Sequence, residues 1–164
     1  KDQLTLLKAI NLIKDKVNIK LLIVGRGIKK NDLISYINLN NLKKHVQLVN
    51  FTKNPFNLIR SSDLFILTSL YEGLPNVLLE ALTLKRFIIS TDCPTGPKEI
   101  LLNGKAGNLF KPGDYKQLSK LIINYKNNKV KELTKTKFGY KNLDRFDFDK
   151  NLKKYFLLID KFLY

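Results

Sequence analysis

The sequence predicts an α/β fold built on a parallel sheet with helices on both faces. Short, nearly continuous apolar runs typical of buried parallel strands alternate with segments whose apolar residues have helical spacing. The runs are followed by loops and then helices, which is the order of a βαβ unit. Because such crossovers are right-handed, we expect the strand-to-helix loops to share one edge of the sheet, where ligands of such sheets bind.

The predicted elements follow one another in chain order. Apolar residues from Leu4 to Ile13 recur at helical spacing, so the chain opens with an amphipathic helix. The predicted strands cover residues 19–24, 46–51, 64–68, 87–90 and 108–110. The predicted helices after them cover residues 31–39, 55–60, 75–84, 97–102 and 114–125. Beyond residue 126 the chain is polar and rich in lysine until an apolar helix at residues 152–163, which we expect to pack elsewhere in the parent protein.

Length and composition limit the possible classes of protein. With 164 residues the chain has the size of one domain, and no apolar run approaches the roughly 18 residues that span a bilayer. Cys93 is the one cysteine, which excludes an intrachain disulfide and fits a reducing, cytoplasmic compartment. His45 is the one histidine, so the sequence offers no usual Ser/His or Cys/His catalytic pair. The chain starts at Lys1, directly in a helix, and we expect it to be a piece of a longer protein.

The charge of the chain is strongly positive. Thirty basic residues against 14 acidic ones give a net charge of +16, enough to attract nucleic acid or an anionic membrane surface. The lysines are dispersed and are not interleaved with aromatic residues as nucleic-acid surfaces are. We therefore favour the interpretation that most of them fill solvated surface positions, and we expect no specific nucleic-acid partner.

The loop after the third predicted strand, residues 64–68, carries the main candidate site. Gly73 allows close approach of a ligand to the backbone, and Pro75 suits a helix start because its missing N–H is not needed there. The free amides and positive dipole end of such a helix suit a phosphate or pyrophosphate. Glu72 lies just before this helix and Glu80 about two turns inside it. Taken alone, the two glutamates are explained as well by structural roles, Glu72 as a helix-start charge and Glu80 on a solvated helix face, as by contacts with a ligand.

Other polar residues admit ordinary structural interpretations. Gly25 and Gly27 flank Arg26, but Lys30 stands where a dinucleotide-binding fingerprint needs its third glycine, so we interpret the segment as a turn. Asp92 is as well explained by helix capping as by a ligand contact. Cys93 is as well explained by burial of a small thiol, and His45 and Asp63 by structural roles in loops.

A resemblance to a known family adds to these observations. Residues 62–91, SDLFILTSLYEGLPNVLLEALTLKRFIIST, resemble the donor-site segment of family 4 of the retaining glycosyltransferases. Residues 19–27 and 46–51 are similar to earlier strands of that family, residues 91–100 (TDCPTGPKEI) to its acceptor-side loop and helix, and residues 104–113 to its Gly-rich turn. The resemblance covers residue 1 to about residue 128. It implies a Rossmann-like, doubly wound parallel sheet that forms the C-terminal half of a GT-B fold.

The resemblance also implies roles for particular residues. Glu72 is the implied catalytic residue, beside the donor sugar near its anomeric carbon, and Glu80 would take the ribose hydroxyls. Backbone near Thr52 and Lys53 would hold the base, although Thr52 replaces a common glycine. Lys1 would neutralise the pyrophosphate, and an arginine together with the first strand of the domain would lie upstream. The implied donor-binding residues are Lys1, Thr52, Lys53, Gly73, Leu74, Pro75, Asn76, Val77 and Glu80.

The expected function follows from these roles. We expect residues 1–128 to form a nucleotide-sugar-binding domain and residues 129–164 a basic tail with a C-terminal helix. The resemblance implies a nucleoside diphosphate sugar as donor, with UDP favoured because the TDCPTGP segment looks like that of members that use UDP-linked hexoses or N-acetylhexosamines. A missing N-terminal domain would bind a saccharide or lipid-linked acceptor. No divalent metal is expected, because the donor-site segment has no Asp-x-Asp pair. The alternatives are a non-catalytic nucleotide-sugar-binding module and a basic protein that binds nucleic acid or a membrane surface, and the expected location is cytoplasmic, peripheral at the inner face of the membrane.

Overall fold

Parallel strands alternate with helices along residues 1–163, which the computed structural model describes. The strands are β1 (Leu21–Val24), β2 (Val46–Val49), β3 (Leu64–Leu67), β4 (Phe87–Thr91) and β5 (Asn108–Phe110). The first helices are α1 (Gln3–Ile13), α2 (Lys30–Leu39), α3 (Phe56–Ser61), α4 (Asn76–Thr83) and α5 (Pro97–Ile100). They are followed by α6 (Tyr115–Asn127), α7 (Lys129–Lys141), a 3-10 turn (Leu143–Phe146) and α8 (Phe148–Leu163). The α/β alternation predicted from the sequence is confirmed.

The strands pair in parallel within two hydrogen-bonded groups. β1 pairs with β2, with Leu21 opposite Val46. β4 pairs with β3 on one side and with β5 on the other, with Leu64 opposite Phe87. Among the described residues, no ladder joins β1 to β3. Because the strands within each group are parallel, the loops that leave them share the carboxyl edge of that group.

Helices cover both faces of the strands. One core lies under α1, α2 and α6, and the other under α3, α4 and α5. Successive side chains of β4 lie on opposite faces of the sheet, so Phe87 and Ile89 pack in the first core and Ile88 packs in the second. All five residues of β4 are buried, as suits a strand with partners on both sides. Each fully buried side chain of this kind contributes about 1.5–3 kcal/mol relative to an exposed one.

Helix α7 was not anticipated, because its buried positions are polar or small. Glu132 is buried and accepts hydrogen bonds from Asn124 at 2.9 Å and Asn108 at 3.2 Å. Gly139 lies close to Leu82 and lets α7 approach α4. A pattern of apolar residues could not reveal such a helix. The expected division after residue 128 therefore falls between two helices that pack on each other, α6 and α7, and it remains a prediction.

Helix α8 ends the described chain with its apolar residues exposed. It begins four residues before the helix predicted at residues 152–163, none of its described residues is buried, and it packs on the 3-10 turn. Phe148 and Phe162 are among its exposed aromatic residues. Within residues 1–163, no helix combines the length and the apolar character needed to cross a bilayer.

Candidate functional site

The candidate site is the loop of residues 68–75, which joins β3 to α4. Thr68 and Ser69 are buried where the chain leaves the sheet, and Tyr71 is exposed at the tip of the loop. Pro75 is buried and immediately precedes α4, with φ −74° and ψ 90°. The extended conformation of Pro75 turns the chain into the helix, close to the position predicted from the sequence.

The amino end of α4 presents unpaired amides at this loop. The first helical hydrogen bond runs from the Leu78 N–H to the Pro75 carbonyl at 2.9 Å, so the amides of Asn76 and Val77 have no partner within the helix. Within the described chain, no side chain caps this end. A Cβ built on Gly73 would meet no atom within 4 Å, so the space beside the loop is open. The arrangement is suited to an anion that accepts from backbone N–H groups.

Glu72 forms an ion pair with Lys1 at this opening. The Lys1 Nζ donates to Glu72 Oε1, and the Glu72 side chain is only 14% exposed. Partial burial acts to raise the pKa of Glu72, but the hydrogen bond and charge of Lys1 outweigh it, and the pKa lies below its ordinary value of 4.5. The buried Ser69 hydroxyl is close enough to add to this lowering, although it lies outside hydrogen-bonding geometry. Glu72 is therefore held as a carboxylate.

The start of α1 fixes Lys1 beside the loop. The Asp2 N–H donates to the Thr68 carbonyl at 3.3 Å, which joins the first residues of the chain to the end of β3. The Asp2 carboxylate caps α1 by accepting from the Thr5 N–H at 3.2 Å and the Thr5 hydroxyl at 2.6 Å. Lys1 and Glu72, which the sequence assigned to the donor site in separate roles, are thus brought together although they are 71 positions apart.

Replacing Lys1 by methionine should weaken the fold more at neutral pH than in acid. A carboxylate whose folded pKa is lowered contributes stability above its unfolded pKa of about 4.5 and loses it as pH falls through the folded value. Urea unfolding of wild type and Lys1→Met should give a free-energy difference of about 0.5–1 kcal/mol at neutral pH that shrinks below pH 4.5. Lys111→Met is a matched surface control. A difference that stays constant with pH would contradict the ion-pair account.

The loop between β4 and α5 packs against the loop of the candidate site and supports it. The Thr91 hydroxyl donates to the Ser69 carbonyl at 2.7 Å, and the Thr95 hydroxyl donates to the Glu72 carbonyl. Gly96 has φ +84°, and a Cβ built there would lie 2.1 Å from the Gly73 oxygen. These three supporting residues were not assigned from the sequence. The Thr-Gly-Pro sequence marks a turn there, but only the packing of two loops reveals what the turn supports.

The remaining predicted donor-binding residues lie in different surroundings. Thr52 and Lys53 follow β2 at the same edge of the sheet, and the Thr52 hydroxyl makes local hydrogen bonds with the backbone of Asn54 at 3.3 Å. Glu80 is partly buried on α4. Among residues 1–163, no hydrogen bond or ion pair joins Thr52, Lys53 or Glu80 to the loop of Glu72.

Two cationic residues missed in the sequence lie at the same carboxyl edge. The Arg26 guanidinium lies over the Phe51 ring at 5.2 Å, and the Lys30 Nζ donates to Asn50 Oδ1 at 3.2 Å. Gly25 has φ +141°, consistent with the turn predicted there. These contacts join the loops after β1 and β2.

The other candidates have structural partners. His45 contacts the Ile19 carbonyl through Nδ1 at 3.3 Å, Asp92 pairs with Lys98 at 3.5 Å, and Cys93 is buried. In the described part of the chain, no group of three His, Cys, Asp or Glu side chains could hold a metal ion. The chain has an Asp-x-Asp pair, Asp147 and Asp149, which lies at the start of α8.

Sequence comparison relates the chain to enzymes that transfer sugars. The family model described as "Glycosyl transferases group 1" matches residues 1–142. An uncharacterized glycosyltransferase of Methanocaldococcus jannaschii is 44% identical over 126 residues, which are 68% of this chain and 31% of that protein. The N-acetylgalactosamine-N,N'-diacetylbacillosaminyl-diphospho-undecaprenol 4-alpha-N-acetylgalactosaminyltransferase of Campylobacter jejuni is 33% identical over 94 residues, 57% of this chain and 26% of that protein. The chain thus spans less than a third of the length of these relatives.

Solved structures share the fold. A mutant of Staphylococcus aureus TarM in complex with fondaparinux, alpha-GlcNAc-glycerol and UDP matches with a TM-score of 0.86 and 25% identity, over 94% of this chain and 32% of TarM. Anabaena HepE in complex with UDP matches with a TM-score of 0.86 and 20% identity, over 97% of this chain and 45% of HepE. These likenesses confirm the expected fold, a Rossmann-like half of a GT-B glycosyltransferase.

Proposed function

Because the chain belongs to the glycosyl transferases group 1 family, we propose that it is the nucleotide-sugar-binding half of a retaining glycosyltransferase. The donor is a nucleoside diphosphate sugar, with UDP as the favoured nucleotide. The group transferred is a hexose or N-acetylhexosamine, and the acceptor is a saccharide or lipid-linked intermediate of cell-envelope glycan synthesis.

One observation carries the proposal: an ionised Glu72 and its partner Lys1 lie beside the uncapped start of α4. In our proposal the diphosphate accepts from the amides of Asn76 and Val77 and lies against the Lys1 ammonium. The sugar then occupies the open space beside Gly73, where the Glu72 carboxylate positions it. The same groups suit the two charges that develop when the glycosidic bond to the diphosphate breaks.

The proposed reaction uses these groups in one step. As the bond between the anomeric carbon and the diphosphate oxygen breaks, the electron pair leaves with the nucleotide, and the α4 amides and Lys1 stabilise the negative charge. Glu72 stabilises positive charge in the sugar ring. The acceptor hydroxyl forms the new bond on the face that the diphosphate leaves and passes its proton to the departing diphosphate oxygen, so the anomeric configuration is retained. Glu80 would bind the ribose, and Thr52 and Lys53 the base.

The relatives support the choice of donor and acceptor. The TarM and HepE structures contain UDP. The Campylobacter relative is named for an undecaprenol-linked acceptor, and a Staphylococcus aureus relative, 29% identical over 126 residues, is named a poly(ribitol-phosphate) alpha-N-acetylglucosaminyltransferase. We propose that an N-terminal domain binds the acceptor, that the isolated chain is inactive, and that the enzyme works without a metal at the cytoplasmic face of the membrane.

Thermal unfolding in the presence of nucleotide sugars tests the proposed site. At a concentration of 100 times the Kd of the UDP sugar, the UDP sugar should stabilise the chain by about 2.7 kcal/mol. GDP and ADP sugars at the same concentration should stabilise it by less. Val77→Pro removes one α4 amide and should weaken this stabilisation, whereas Val130→Pro at the exposed start of α7 should not. If UDP, GDP and ADP sugars all leave the unfolding temperature unchanged, the donor-site proposal is wrong.

A further inference from the structure

The side chain of Ser69 is a buried hydroxyl without a partner. Ser69 is 0% exposed, and within residues 1–163 its Oγ has no hydrogen-bond partner. Such hydroxyls are rare in folded proteins, because a buried donor that has left water and found no acceptor destabilises the fold. An unpaired hydroxyl in the loop of the candidate site therefore indicates an acceptor that it meets in another state of the molecule.

The backbone around Ser69 is held by two other elements. The Thr91 hydroxyl donates to the Ser69 carbonyl at 2.7 Å, and the Asp2 N–H donates to the neighbouring Thr68 carbonyl at 3.3 Å. These contacts tie the end of β3 to β4 and to the start of α1. The Ser69 Oγ can therefore move mainly by rotation about the Cα–Cβ bond, and its acceptor must be a group that comes close to it.

The Glu72 carboxylate is an acceptor that lies close to this hydroxyl. Although the two groups are outside hydrogen-bonding geometry, the Ser69 hydroxyl contributes to the lowered pKa of Glu72. Among the described residues, Lys1 is the only side chain that donates a hydrogen bond to this carboxylate. Because a carboxylate can accept several hydrogen bonds, Glu72 keeps acceptor capacity for the Ser69 hydroxyl.

The burial of Ser69 determines how it can act. Its side chain is fully enclosed, whereas the Glu72 side chain is 14% exposed. A bound donor can therefore touch the Glu72 carboxylate but not the Ser69 hydroxyl. Any effect of this hydroxyl on the donor passes through Glu72, so Ser69 is a positioning residue and not a catalytic one.

We propose that Ser69 positions Glu72 in the donor-bound state, in which the Ser69 hydroxyl donates a hydrogen bond to the Glu72 carboxylate. The inference rests on the proposed function, in which the Lys1 ammonium lies against the diphosphate. A diphosphate carries more negative charge than a carboxylate, so it attracts Lys1 away from Glu72. The Ser69 hydroxyl then replaces Lys1 as a donor, keeps Glu72 ionised and fixes its direction toward the sugar.

The other groups around Glu72 do not supply this hydrogen bond. Within the described chain, the charges that face its carboxylate are those of the Lys1 side chain and the Lys1 amino group. The loop between β4 and α5 contributes the Thr95 hydroxyl, which donates to the Glu72 carbonyl. The charged residues of that loop, Asp92 and Lys98, pair with each other at 3.5 Å. The buried hydroxyl is thus the donor that remains when Lys1 turns to the diphosphate.

The variants Ser69→Ala and Thr136→Val of the full-length protein test the proposal. Thr136 lies on α7 and carries the other buried, unpaired hydroxyl of the described chain, so it is a matched control. Without donor, both variants should resist urea as well as the wild type or better, because each loses an unpaired buried group. With UDP sugars and an acceptor extract, Ser69→Ala should lower kcat about 10-fold and leave UDP affinity unchanged, because a hydrogen bond to a charged group is lost. Thr136→Val should match the wild type in both.

The pH dependence separates positioning of Glu72 from a structural role of Ser69. Loss of the hydrogen bond should raise the pKa of Glu72 in the donor complex, so the acid limb of the kcat profile of Ser69→Ala should move about one pH unit higher. Carbon-13 NMR of the Glu72 carboxyl group in the UDP complex measures the same change without turnover. Without UDP the change should be smaller, because Lys1 then still pairs with Glu72.

Three outcomes would overturn the proposal. The first is a Ser69→Ala protein with the kcat and pH profile of the wild type. The second is a loss of stability and UDP affinity in step with kcat, which would mean that the hydroxyl holds the loop together. The third is a change in the pKa of Glu72 that is the same with and without UDP. A wild-type protein that gains no stability from UDP sugars would contradict the donor site itself, so failure of the proposed function is distinguishable from failure of this inference alone.

Discussion

Replacing Glu72 by glutamine should lower the turnover of the full-length protein about 100-fold or more, the usual cost of removing one group that stabilises charge in a transition state. The amide keeps the size of the carboxylate, but it cannot stabilise positive charge in the sugar ring. UDP affinity should change little, because the amides of α4 and Lys1 remain. The measurement is kcat with UDP sugars and an acceptor extract, together with UDP affinity by calorimetry.

Asp15→Asn is the control for this experiment, since Asp15 is an exposed carboxylate in the turn after α1 and should be neutral in both assays. Turnover of Glu72→Gln equal to that of the wild type would remove Glu72 from the catalytic role. A wild-type protein that binds UDP sugars but transfers none of them would instead identify a binding module without catalysis. The pair of measurements therefore separates the proposed enzyme from its non-catalytic alternative.

Replacing Gly96 by alanine should disorganise the site and destabilise the chain by about 2–5 kcal/mol. Its φ of +84° is in the left-handed region, which costs about 1–2 kcal/mol for alanine. The new Cβ would also lie 2.1 Å from the Gly73 oxygen and 2.4 Å from the Pro75 Cδ, and overpacking typically adds about 1–3 kcal/mol. Because the atoms in the way are backbone and a proline ring, the loop of Glu72 must move, and UDP affinity should fall with stability.

The variant Gly113→Ala separates the effect of backbone strain from the effect of the steric clash with the loop of Glu72. Gly113 has a similar φ of +80°, but a Cβ built there meets no atom within 4 Å. It should cost about 1–2 kcal/mol from backbone strain alone and leave UDP affinity unchanged. Urea unfolding and calorimetry of both variants make the comparison. Equal effects of the two substitutions would mean that the contact between the two loops does not support the site.

The sequence predicted most elements of the fold because each has a local signal. β3 and β4 are apolar runs bounded by polar loops, and α1 and α6 have apolar residues at helical spacing, so their predicted bounds fall close to those observed. Helix α7 lacked that signal, since Glu132 and Gly139 are buried through hydrogen bonds and close packing. The hydrogen-bond partners of Glu132 are Asn108 and Asn124, which belong to other elements.

The candidate site likewise has some features that the sequence predicts and others that only the tertiary structure shows. By itself the sequence determined the loop, with Glu72 before a proline-started helix, because glycine, proline and charge at a helix start act over a few residues. Only the tertiary structure decided that Lys1 pairs with Glu72 and that Thr95 and Gly96 support the loop. These contacts depend on which strands lie side by side in the sheet. Strand order is set by packing and hydrogen bonding between segments far apart in the chain, and no local sequence pattern encodes it.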